Sequence, residues 1–129
     1  MSPIISLHDV QDPDLKVLSH LIYEYEKGVR NLVLYTMPRR LFPLVKAKMD
    51  HREIDYFVLP VNNRENMNLF FGQKDCLTTI QSILQNKPLE SLSPEEDFML
   101  GILLGYEMCR QCQRYQKQKA TLNKSTSII

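Results

Sequence analysis

Cys109 and Cys112, in the run Cys-Arg-Gln-Cys, are the residues best spaced for chemistry. Two thiols at this spacing can close a redox disulfide, and the same spacing supplies half of a four-ligand zinc site. A redox pair works best at a helix N-terminus, whereas the periodicity around these cysteines places them about four turns inside a helix. A structural zinc needs four ligands, and the chain carries no second pair of cysteines. Two subunits could supply four sulfurs only if their helices met near a symmetry axis. Burial is the commoner fate of a free cysteine and is the expectation for this pair. The metal or redox site remains the alternative.

Other residues invite weaker readings. Cys76 falls near the start of a helix but shares an apolar stripe with Ile80 and Ile83, so an inert thiol is expected. Gly72-Gln73-Lys74, between a strand and a helix, could cradle an anion for a small-molecule enzyme, yet one glycine is not a Gly-rich loop. Arg39, Arg40, Lys46, Lys48 and Arg52 make the segment after Pro38 distinctly basic. Of these, Arg39, Arg40, Lys46 and Lys48 are the candidate docking residues for an acidic partner. Aromatic residues are not interleaved with these charges, which argues against nucleic acid. His8, His20 and His51 are scattered, and Glu95-Glu96-Asp97 reads as a helix start rather than a catalytic carboxylate pair. No catalytic residue and no cofactor motif emerges.

The totals fit one domain. The chain has 129 residues, 43% hydrophobic and 24% charged, enough to build a core without staples. A net charge of +1 supplies no global attraction to nucleic acid or membranes. The distribution is uneven: up to Cys109 there are 11 Lys and Arg against 15 Asp and Glu, and beyond it five bases and no acid. Three cysteines do not make a disulfide framework. No charged segment followed by an apolar run opens the chain, and the longest apolar block falls well short of the ~20 residues of a membrane span. A cytoplasmic protein is expected.

The positioning elements follow from local signals. Asp12-Pro13 starts a helix over about 13–27, with Leu15, Leu18, Ile22 and Tyr25 as its stripe, widened by Val17 and Leu21, and Gly28 as its stop. An apolar patch before it, Ile4 to Leu7, reads as an arm or a short strand. RNLVLYT (30–36) is a strand, and a helix near Pro38 or Pro43 continues to about His51. DYFVLPVNNRENMNLFFG (55–72) is a hairpin turning at Asn62 to Glu65. Pro60 confines the first arm to an edge, favouring a split βαβ sheet in the order 1-3-2, while Asn66 and Asn68 leave 1-2-3 open. A helix over about 75–85 follows. Ser93, Pro94 and Glu96 then open the strongest helix, by a capping box, over about 94–117. That helix is apolar nearly all round from Phe98 to Cys109, which implies a second covering surface. The same helix of a second subunit is the simplest cover, with Leu100, Gly101, Leu104, Gly105 and Met108 at the contact. Residues 120–129 read as a disordered tail.

The segments GVRNLVLYT, NLFFG and SPEEDFMLGILLGYEMCRQCQRY together resemble the small bacterial family catalogued as domain of unknown function twenty twenty-three. The likeness spans about residues 12–116. It implies three strands, about five helices and a homodimer with no established activity, and it associates the chain with flavodoxin genes, hence with an acidic electron carrier as partner. A fifth helix would require the 38–51 region to split. The combined expectation is an α+β domain over residues 1–119, a small three-stranded mixed sheet covered by four or five helices. Its function would be that of a non-catalytic, homodimeric accessory or protein-binding module.

Overall fold

The computed structural model describes residues 12–61 and 63–126. The Ile4–Leu7 patch therefore lies outside the described residues, as does Asn62 in the hairpin turn. A three-stranded sheet, β1 (Leu32–Pro38), β2 (Tyr56–Pro60) and β3 (Asn66–Gly72), has the spatial order β1-β3-β2. Both pairings are antiparallel, running from Leu32 opposite Gly72 to Pro38 opposite Asn66, and from Tyr56 opposite Phe71 to Pro60 opposite Met67. The outer strands run parallel to each other, as a βαβ unit requires, but β3 lies between them. The sheet is thus antiparallel rather than mixed.

β3 takes the centre because it is apolar on both faces. Met67, Leu69 and Phe71 face α1 (Pro13–Glu26) and α2 (Phe42–His51), joining Leu15, Leu18, Ile22, Val45 and Met49 in one core. Phe70 faces the other way, toward α3 (Lys74–Leu84) and α4 (Pro94–Leu103), with Leu77, Ile80, Leu84, Leu100 and Leu104. Asn68, the feature that argued for an exposed strand, is only 4% exposed. Its carboxamide oxygen accepts from the Thr36 hydroxyl on β1 at 2.6 Å, which satisfies the buried polar group. Gly72 is required where β3 ends. Its φ is +149°, and a Cβ there would sit 2.3 Å from the Asn31 carbonyl oxygen.

The first helix starts as its residues dictate: Asp12 accepts from the Asp14 amide at 2.9 Å and Pro13 opens the first turn. Tyr25 meets Phe71 edge-on at 5.9 Å, and Tyr35 donates to the Asp14 carboxylate at 2.8 Å, tying α1 to β1. Burial and that hydrogen bond push the Tyr35 phenol up. Val17, expected in the stripe, is exposed.

The fifth helix comes from a different place than the 38–51 region, which forms a 3₁₀ turn (Arg39–Leu41) leading into the single helix α2. The split falls in the expected 94–117 helix. At Gly105, φ is +82°, the Gly105 amide donates to Ile102 O and the Tyr106 amide to Gly101 O, both at 3.0 Å. These are the two bonds of a Schellman stop. The chain reverses, Glu107 caps the new helix through the Arg110 amide at 2.6 Å, and α5 (Met108–Thr126) folds back along α4. Helix α5 continues past Lys119, where the tail was expected; residues 127–129 lie outside the described residues.

Candidate functional site

The basic segment divides in two. Lys46 pairs with Asp50 one turn on, at 2.9 Å, and that carboxylate raises its pKa. Lys48 donates to the Ser19 hydroxyl at 3.0 Å, and burial followed by nearby Arg52 lowers its pKa. Arg52 pairs with Glu26 at 2.8 Å. Lys48 and Arg52 thus tie α2 to α1, while the Lys46 pair lies within α2. Arg39 and Arg40 instead stand at the end of β1, beside the hairpin loop. The Arg39 amide donates to Glu65 O at 2.7 Å, and its Nε donates to Arg64 O at 3.0 Å. Holding the guanidinium by Nε fixes its plane and leaves both terminal nitrogens for an external acceptor. Arg40 pairs with Asp12 at 3.2 Å.

Arg64 completes this lip. Arg39, Arg40 and Arg64 line an open cavity of about 600 Å³ with Pro38, Glu65 and Asn66. Sequence reasoning missed Arg64 because it took the basic segment after Pro38 by itself. The signal that finds it is the register: Pro38 stands opposite Asn66, which places the residues just before Asn66 beside those just after Pro38.

The other surface is the α4–α5 hairpin. Leu100 and Leu104, expected at a subunit contact, are buried in the chain's own core, and Gly101 is covered by Gln111, whose Oε1 lies 2.0 Å from where a Cβ would stand. Gly105 makes the turn. Of the five residues expected at the contact, Met108 alone projects outward from an apolar side chain, at 65% exposure. The second surface that a helix apolar all round demanded is thus supplied in part by α5 itself. Arg114 holds Asp97 by two bonds of 2.7 and 3.1 Å, while Tyr115 donates to Glu95 at 2.8 Å and Lys119 reaches Glu95 at 3.1 Å. These donors, Tyr115 first, hold the Glu95 carboxyl below its ordinary range. Lys87 and the Ser93 amide do the same for Glu96 within the capping box.

What this leaves outside is apolar. Met99, Ile102, Tyr106 and Met108 are exposed on the hairpin. Met99 also lines a groove of about 570 Å³ with Phe98, Cys112 and Tyr115, Phe98 and Tyr115 lying edge-on at 5.9 Å; Tyr106 lines a separate cavity with Asp97, Gln111 and Arg114.

The reversal at Gly105 also relocates the cysteine pair. Cys109 lies in the first turn of α5 and is exposed, while Cys112, one turn on, is half-buried in the groove wall. The expectation of a packed pair deep in one long helix is corrected: the helix ends before reaching it, and Cys109 is left exposed. Among the described residues no three His, Cys, Asp or Glu side chains are grouped to hold a metal. Cys76 is half-buried against the α3–α4 core, as its stripe predicts. The Gly72 turn offers little to an anion, since its Gln73 amide already donates to Asn31 O at 2.9 Å.

A family model described as a protein of unknown function, DUF2023, matches residues 16–118. The chain belongs to that family. The DUF2023 match runs from α1 into α5, so the arginine lip and the α4–α5 hairpin both lie within it. No curated protein matches the chain. Among the described residues no helix is long and apolar enough to cross a membrane.

Proposed function

We propose that this DUF2023 chain is a non-catalytic accessory module that pairs with a second copy of itself through the α4–α5 hairpin. The observation that carries the reading is the apolar surface of this hairpin, where Met99, Ile102, Tyr106 and Met108 are exposed and Met99 lines a groove with Phe98, Cys112 and Tyr115. Methionine and aromatic side chains are the residues enriched at the centres of protein interfaces. A second copy suits the surface because the hairpin's charges are already neutralised within the chain: Glu95, on the groove, pairs with Lys119, and Asp97 pairs with Arg114. Two such faces meet without like-charge repulsion, as a twofold contact requires. Sedimentation velocity over a concentration series tests this. A monomer–dimer equilibrium abolished by Met99→Asp supports the reading, and a monomer at every concentration refutes it.

A second reading rests on the arginine lip. There the module docks an acidic protein, such as flavodoxin, through Arg39 and Arg64, with Arg40 alongside. The fixed guanidinium of Arg39 supports it, because a fork held in plane recognises carboxylates in a bidentate manner. Binding to flavodoxin measured by calorimetry should weaken with rising salt and be lost in Arg39→Glu/Arg64→Glu. Binding that survives both changes removes this reading.

A further inference from the structure

We infer that Cys109 and Cys112 form an intrachain dithiol that exchanges with small disulfides of the glutathione class. The inference goes beyond the docking reading and rests on the first turn of α5, whatever the chain pairs with.

The geometry comes from the stop at Gly105. In a regular helix the Cα atoms of residues three apart lie about 5 Å from one another. That falls inside the range a disulfide bridges. Their Cβ atoms, about 5–6 Å apart on a helix, must approach further, which a first turn allows by tightening toward 3₁₀ form. Deep in a long helix the same contraction would break bonds on both sides. At α5 only Glu107 lies upstream, its carboxylate accepting from the Arg110 amide and its carbonyl from the Gln111 amide.

The two sulfurs are unequal. Cys109 is exposed and free to meet a substrate in solution, whereas Cys112 is half-buried in the groove wall. Glu107 occupies the amides of this turn: its carboxylate accepts from the Arg110 amide and lies against the Cys109 amide and thiol, which hold its pKa low, so the exposed sulfur has a proton acceptor beside it.

The exchange balances without another reactant. The Cys109 thiolate attacks one sulfur of the small disulfide, forming a mixed disulfide and releasing one thiolate. The Cys112 thiolate then attacks Cys109 Sγ, closing the intrachain bond and releasing the second thiolate. The protein dithiol is oxidised by two electrons and the small disulfide reduced by two; the two thiol protons go to the departing thiolates. Excess small thiol reverses both steps.

The test equilibrates the full chain in buffers of varied reduced-to-oxidised glutathione ratio, quenches with an alkylating agent and weighs each chain. The expected result is a species missing two alkylation sites and two hydrogens, its ratio to the dithiol rising in proportion to oxidised glutathione divided by the square of reduced glutathione. Peptide mapping should place the bond between Cys109 and Cys112 and leave Cys76 alkylated. Cys112→Ser should instead accumulate glutathione on Cys109, several-fold above the wild type in the same buffer. Glutathione adducts alone in the wild type, a disulfide joining two chains, or no reaction at either cysteine each overturn the inference. Because mass is read per chain, failure here is distinct from failure of pairing, which sedimentation reports.

Discussion

β3 and the α4–α5 hairpin spend their apolar residues in opposite ways. On β3 every residue from Met67 to Gly72 is buried, with a core on each face. Helix α4 gives Leu100 and Gly101 to the interior but turns Met99 and Ile102 outward, and α5 buries no residue completely among those whose burial is described. A central strand has no side chain to spare, and its substitutions act on the fold. A hairpin laid over a finished core has side chains left over, and the proposed pairing uses these.

The comparison breaks most visibly at Phe70. Phe70→Ala should cost about 3–5 kcal/mol in urea unfolding, through lost transfer energy and an unfilled cavity, including its stacking on Phe57 at 4.7 Å. Met99→Asp, equally drastic chemically, should change folding stability by about 0.5 kcal/mol or less while removing the dimer. Equal losses of stability in the two variants would erase the distinction. Gly72→Ala comes next, at about 1–3 kcal/mol, since the added Cβ meets backbone at Asn31 and the positive φ is strained.

Much of this was legible in the sequence. The capping signals at Asp12-Pro13 and Ser93-Pro94-Glu96 are local chemistry and sit where expected. Pro60 spoke correctly for an edge strand, which set the order 1-3-2. Two features were hidden because each depends on a partner distant in the chain. Asn68 reads as an exposed residue until Thr36 is placed across from it. Arg64 reads as turn polarity until the register brings it to Arg39. The break at Gly105 was different: the glycine was visible, but its neighbours are so strongly apolar that periodicity ran through it. A following Tyr106-Glu107, with an acid ready to cap, was the overlooked signal.

Smaller effects sharpen the hairpin side. Ser93→Ala removes one half of the capping box and should cost about 1 kcal/mol by thermal or urea unfolding. Acid should act on the hairpin too. Glu95 and Glu96 have folded pKa values below the ordinary carboxylate value. Their contribution is therefore complete above the unfolded value, about pH 4.3, and is lost as pH falls through the lowered folded values. Far-ultraviolet circular dichroism should show helix content easing below about pH 4, less in Glu95→Gln than in the wild type.

Amide hydrogen exchange of the whole chain, compared between dilute and concentrated solution, tests the central claim most directly. Slower exchange on concentration, confined to the outer turns of α4 and α5 between Phe98 and Gln116, is the predicted result. Exchange that is independent of concentration in this segment, or slowing that appears on α1 and α2 instead, would contradict the account.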